Sequence, residues 1–237
     1  MKQKLPISKR LLCCAALVPE GSRLADIGTD HGYLGIYLLL AGKVRHVIAA
    51  DLRPQPLARA KQNAREYEVE DRMEFCLSDG LANIDPDSCD AISCAGMGGD
   101  LIIRLLTECA WLRDARYTLI LQPQSSGQAV RRYLAENGFA VDRETLVEDA
   151  GFLYTVLRAR FDGQRRTLSP GAQYVPQQLL ESGSGLLGAY LHRVSGALAV
   201  TVEGLRNADK LRPERQQYYE QALLEVREME RRYGNSE

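Results

Sequence analysis

A chain of 237 residues with 45% hydrophobic and 26% charged side chains has the profile of a soluble globular protein, large enough to bury a core without disulfides or metals. A formal net charge of −1 excludes a polycation that coats nucleic acid by charge alone, so any grip on nucleic acid must be concentrated on one face. The six cysteines (13, 14, 76, 89, 94 and 109) form no C-x-x-C pair and meet no histidine at ligand spacing, so no metal is expected and reduced thiols in a cytoplasmic protein are the plain reading.

The N-terminus is basic and then apolar, as a signal peptide would be. Its apolar run, 11–18, is short, and no A-x-A site follows. It reads instead as a helix capped by Ser8 and ended by Pro19 and Gly21. No segment is long enough to span a membrane. A buried strand follows at 24–27, then a helix at 33–41. "VRHVIAAD" (44–51) is a second strand, and Pro54 opens a helix to about residue 67. Strands are expected at 72–79, 89–95 and 117–123. The second of these leads through a glycine turn into a helix at 101–108; the third ends at Pro123 and precedes a helix stopped by Gly138.

This alternation predicts a parallel sheet with helices on both faces. The rhythm then breaks. Segments 139–149 and 152–161 are two strands with only Ala150 and Gly151 between them, so they must pair as an antiparallel hairpin. A mostly parallel seven-stranded sheet ending in such a hairpin is the α/β, Rossmann-like architecture of class I methyltransferases that use S-adenosylmethionine (SAM). A dehydrogenase would more usually add another parallel unit. Beyond Pro170, apolar residues at Leu187, Tyr190, Val194, Ala197, Thr201 and Leu205, and again at Tyr219, Ala222, Val226, Met229 and Tyr233, follow 3-4 spacing. They predict a small all-α, coiled-coil-like helical hairpin. The expected organisation is a SAM-binding domain at 1–165 and a helical domain at 166–237.

The loop after the first strand, "ADIGTDHG", is a glycine loop with an irregularity. Gly28 allows a sharp turn and Gly32 close packing. Asp30 occupies the position where a dinucleotide loop clears space for pyrophosphate. A carboxylate there repels phosphate but attracts the ammonium and sulfonium of SAM. Asp51, at the end of the second strand, suits ribose hydroxyls in either cofactor. Asp79 ends the third strand, where an acceptor can meet an adenine amino group. "SCAGMGGD" (93–100) offers backbone rather than side chains, a surface that suits a flat ring methylated at a ring nitrogen. Cys94 lacks the motif of a pyrimidine-attacking nucleophile and reads as a small buried residue. His31 reads equally as a base or as a structural residue. Gln122 and Gln124 flank Pro123 at the site edge.

"SKRL" (8–11), "LADIGTDHGYLGIYL" (24–38), "CAGMGG" (94–99) and "LILQPQ" (119–124) resemble the TrmK family, bacterial enzymes that methylate N1 of adenine 22 in the tRNA D-arm. The resemblance covers about residues 5–160. Gly35 stands where the family often has proline, and Gln124 where it commonly has asparagine. The family implies SAM as cofactor and tRNA as partner. The cofactor set is then Asp26, Gly28, Asp30, Tyr33, Asp51, Leu52, Asp79, Gly80, Ala95 and Gly96. Positioning for transfer falls to Asp30, His31, Gly96, Met97 and Gly98. The tRNA set is Lys9, Arg10, Gln122, Gln124, Arg193, Arg206 and Lys210, with Lys2, Lys4, Arg212 and Arg215 adding charge to the same two regions. A monomer is the favoured expectation. Three alternatives stay open at this point: another RNA, a small-molecule substrate, or a non-catalytic tRNA binder on the same fold.

Overall fold

The computed structural model describes residues 5–207 and 213–234. Seven strands form one sheet in the order β3-β2-β1-β4-β5-β7-β6. They are β1 (Ser22–Ile27), β2 (Val44–Asp51), β3 (Met73–Leu77), β4 (Ala91–Gly98), β5 (Thr118–Ser125), β6 (Phe139–Asp149) and β7 (Phe152–Phe161). The first five run parallel; β7 pairs antiparallel with β5, and β6 with β7. The β6–β7 turn is made by Ala150 (φ 50°) and Gly151 (φ 80°), the left-handed pair that a two-residue hairpin requires.

Strand residues alternate between two cores, which places a helical layer on each face. Leu24, Val47, Ala49 and Ile120 pack with α1 (Lys9–Leu17), α2 (Tyr33–Leu40) and α3 (Pro54–Glu66). Ala25, Ile48, Ala50, Leu119 and Leu121 pack with α4 (Gly99–Glu108) and α5 (Gly127–Glu136). Helix α1 is fixed at both ends. The Ser8 side chain accepts from the Leu11 amide, and Lys43 Nζ donates to the carbonyls of Ala15 (2.8 Å) and Ala16 (2.9 Å). That anchoring sets where Arg10 points.

Three expectations need correction. Strand β4 does not stop at Ala95 before a glycine turn; it continues through Gly98, with register shifts between Ala95 and Met97 and between Met97 and Gly98. Gly96 at φ 76° supplies the irregularity that keeps the segment paired. Pro123 does not end β5 but sits inside it opposite Met97. Strand β3 ends at Leu77, so Asp79 lies in the turn beyond it.

After β7 come two short helices not anticipated from the sequence, α6 (Pro170–Tyr174) and α7 (Gln177–Leu180), then α8 (Leu187–Arg206) and α9 (Pro213–Gly234). Helices α8 and α9 are antiparallel: His192 meets Glu230, and Arg206 meets Glu220. The α9 seam matches the expected spacing, with Ala222 and Val226 buried and Tyr219, Met229 and Tyr233 packed on the same core. On α8, Leu187, Tyr190 and Val194 are buried, but the seam continues through Leu198 and Val202 rather than Ala197, Thr201 and Leu205. The observed stripe drifts because 3.6 residues per turn do not keep a fixed register with a neighbour. This third core includes Leu146 of β6 and Val175, so the helical region is packed onto the sheet hairpin.

Candidate functional site

The loop from β1 to α2 reverses direction by visiting left-handed backbone three times, at Gly28 (φ 70°), Asp30 (φ 52°) and Gly32 (φ 74°). Aspartate is among the few side chains that tolerate this conformation. Asp30 therefore does a glycine's backbone work while adding a charge. A Cβ on Gly28 would lie 2.7 Å from Met97 Cε, so the glycine lets the β4 segment close over the loop.

These pieces enclose a cavity of about 440 Å³ at the carboxyl ends of β1, β2 and β4. Its wall includes Arg10, Asp26, Gly28, Asp30, Asp51 and Arg53, with Ala95, Gly96, Met97 and Gln124 on the β4–β5 side. Strand order reverses between β1 and β4, the place where open α/β sheets bind ligands. Asp26 is buried and accepts from Thr29 Oγ1 at 2.8 Å. Burial pushes its carboxyl up to about 6, against the pull of its hydroxyl hydrogen bonds and with a further push from the charge on Asp51. Asp51 is buried as well. Its Oδ1 accepts from the Arg53 amide at 2.9 Å and its Oδ2 from the Asp30 amide at 3.4 Å. Three carboxylates face two arginines in this wall, which favours a compact cation over a phosphate. The residues thus fit SAM, whose methionine end is cationic.

Gln122 is fully buried under this wall. Its Oε1 accepts from Arg10 (2.6 Å) and from the Gly96 amide (2.9 Å). A Cβ on Gly96 would meet that same Arg10 guanidinium at 2.9 Å. Gln122 therefore positions two neighbours rather than facing a substrate itself. Arg10 turns inward, against Gln122 and over the Tyr154 ring, while Lys9 stays exposed. Cys94 is buried and its thiol is pushed up to about 12 by burial, which removes it as a nucleophile.

Other candidates stand apart from the cavity wall. Asp79 is clasped by Arg104 of α4 (Nη2 to Oδ1, 2.8 Å), which holds its carboxyl below the usual range. A Cβ on Gly80 would come within 2.0 Å of Leu105 Cδ2, so this glycine admits α4. Leu52 is 63% exposed beyond Asp51. His31 lies 3.6 Å from Asp30 Oδ2 and stacks on Tyr33 at 5.5 Å, both just outside the wall. Gly98 caps α4. Arg206 is paired with Glu220, and Lys2, Lys4, Lys210 and Arg212 lie outside the described residues. Thr29 and Arg53 were not singled out from the sequence. Thr29 had one signal, its position three residues after Asp26, within reach of a short hydroxyl.

The sequence matches the methyltransferase-domain family model over residues 7–157. The Bacillus subtilis tRNA (adenine(22)-N(1))-methyltransferase is 35% identical over 156 residues, 66% of this chain and 66% of its own length. The crystal structure of B. subtilis TrmK superposes with a TM-score of 0.81 at 28% identity, covering 96% of this chain and 100% of that one. The chain belongs to the TrmK family. A Streptococcus pneumoniae protein crystallised with S-adenosyl-L-methionine also matches, with a TM-score of 0.80 at 28% identity over 94% of this chain and 99% of its own. The fold is that of a class I SAM-dependent methyltransferase, and the helical C-terminal region lies within the shared structure. Among the described residues, no helix is long and apolar enough to cross a membrane.

The Asp30 position separates charge from backbone. Asp30→Ala is expected to weaken SAM binding about tenfold, combining a lost charge with left-handed strain. Asp30→Asn, which tolerates the same φ, should lose only the charge part, a few-fold because this carboxylate is 63% exposed. Calorimetric titration with SAM checks both, and equal affinity for wild type and both variants would remove Asp30 from the site.

Proposed function

We propose that this protein transfers the methyl group of SAM to N1 of adenine 22 in the D-arm of tRNA. The observation that carries the reading is the juxtaposition of an aspartate-lined cavity with a glycine-rich strand end. Asp26 and Asp51 give the cavity a place for a cationic donor. Ala95–Met97 present backbone to an incoming ring, stiffened from beneath by Gln122. The B. subtilis enzyme, which this chain resembles in sequence and in full-length structure, carries that activity in its name.

SAM, when bound, supplies an electrophilic methyl on a sulfonium. The N1 lone pair lies in the plane of the adenine and is nucleophilic without deprotonation. It forms the new N–C bond as the S–C bond breaks, and the positive charge passes from sulfur to the ring. The residues present are suited to this chemistry, because it requires alignment rather than a strong base. Asp26 and Asp51 anchor the donor side, and Gln122 fixes Gly96 against Arg10. Within a duplex N1 is blocked by pairing, so the adenine must be unpaired or extruded before transfer. Lys9 and Arg193 supply backbone-binding charge on the two elements that flank the strand ends.

The test is incubation with labelled SAM and unmodified tRNA, followed by nucleoside analysis. N1-methyladenosine at position 22, with tRNA affinity falling steeply as salt rises, is the expected result. Methyl at adenine N6 or cytosine C5 would contradict the reading of 94–99. SAM uptake without transfer to any tRNA would point to another acceptor, and no SAM uptake to a binding protein.

A further inference from the structure

A second cavity, of about 420 Å³, adjoins the first between the end of β5, the start of β7 and helix α8. We infer that it receives the reacting adenine, flipped from the tRNA and stacked on Tyr154 and Phe152, with a flanking phosphate held by Arg193. This inference rests on the tRNA reading above.

The two cavities share Gln124 in their walls. Tyr154 lines the second cavity and carries on its ring the guanidinium of Arg10, 5.9 Å away, which lines the first. An occupant of the second cavity is therefore one side chain from the first cavity. Their chemistry differs in the sense the reaction needs. The first wall holds three aspartates; among the described residues, the second holds no acidic side chain but includes Arg131 and Arg193. Arg131 is neutralised by Glu144, which leaves Arg193 as the wall's charge without a carboxylate partner among the described residues. Its Nη1 donates to the Leu153 carbonyl at 2.7 Å, and a guanidinium has further donors to offer a phosphate. A cation is drawn to one cavity and an anionic nucleotide to the other.

The aromatic component points the same way. Phe152 and Tyr154 are two residues apart on β7, so their side chains leave the same face. Their ring centroids are 6.4 Å apart at 48°. Phe152 is 62% exposed at the hairpin tip, where it adds little to any core. An exposed and a half-buried aromatic ring beside a cation, with no carboxylate in the described wall, form a stacking platform for a nucleobase. Stacking also offsets the cost of extruding the base.

The experiment measures methylation of unmodified tRNA and SAM affinity for Phe152→Ala and for Tyr154→Ala, Tyr154→Leu and Tyr154→Phe. Both alanine variants should lower kcat/KM for tRNA about 5- to 100-fold while SAM affinity stays within about twofold. Tyr154→Phe should recover most of the loss suffered by Tyr154→Ala, whereas Tyr154→Leu, which restores bulk without a π face, should not. Recovery by leucine equal to that by phenylalanine would overturn the stacking role. So would undiminished kcat/KM in both alanine variants. If Tyr154→Ala melts early, the exposed Phe152→Ala decides. Wild-type protein that methylates no tRNA would instead remove the functional reading on which this inference rests.

Discussion

Replacing Glu144 with alanine is expected to destabilise the fold by about 3–5 kcal/mol, lowering the melting temperature by on the order of 10 °C. Glu144 of β6 is buried and forms a bidentate ion pair with Arg131 of α5, whose Nε lies 3.0 and 3.1 Å from the two carboxylate oxygens. The same guanidinium donates to the Gln173 carbonyl of α6 (2.9 Å) and to Thr155 Oγ1 of β7 (3.2 Å). One side chain thus joins the sheet, the terminal hairpin and the start of the helical region. Removing the carboxylate leaves a buried, uncompensated cation, and that residue of charge, rather than the worth of the pair, sets the size of the effect. The double variant Arg131→Met/Glu144→Leu should therefore recover a substantial part of the loss. Thermal melts of the two variants check this. A double variant no more stable than Glu144→Ala would show that the cost is packing, not unpaired charge.

SAM affinity should fall about tenfold as pH drops from 7 to 5, and Asp26→Asn should abolish that dependence. Burial raises the Asp26 carboxyl from an ordinary value of about 3.8 to about 6. The native state without ligand therefore binds this proton more readily than the unfolded state. Stability falls as pH rises between about 4 and about 6, by a total of about 3 kcal/mol, and is not regained above that window. A cationic ligand favours the ionised form, so its affinity rises over the same window. Asp26→Asn keeps an acceptor for Thr29 but loses the charge. It should raise the melting temperature of the ligand-free protein at neutral pH and weaken SAM binding tenfold or more. Calorimetry across pH 5–8, paired with melts, measures both. A wild-type affinity that is flat across this range would take Asp26 out of the donor site.

Some of the site was legible because the relevant constraint is local. The left-handed turns at Gly28 and Gly32, the acidic end of β2 at Asp51 and the Ala150–Gly151 hairpin are each dictated by a few adjacent residues. The family resemblance was equally a matter of short blocks. Other parts were hidden because they depend on residues far apart in sequence. Gln122 looks like a substrate contact when read beside Pro123; its partners, Arg10 and Gly96, are 112 and 26 residues away. Asp79 looks free at the end of a strand until Arg104 arrives from α4. Nothing in "FLYTVLRARF" marks Phe152 and Tyr154 as neighbours of the aspartate-lined cavity.

By itself, the sequence determined the alternation of strands and helices, the antiparallel ending of the sheet and the negative character of the β1–α2 loop. Each follows from backbone preference and side-chain periodicity over a few residues. Only the tertiary structure decided which of the candidate groups meet. It turned Arg10 inward, buried Asp26 enough to shift its protonation, and set a carboxylate-free aromatic cavity against an aspartate-lined one. The physical reason is that burial and charge pairing are properties of the space between elements. Crossing the sheet brings together groups whose separation along the chain carries no local signal.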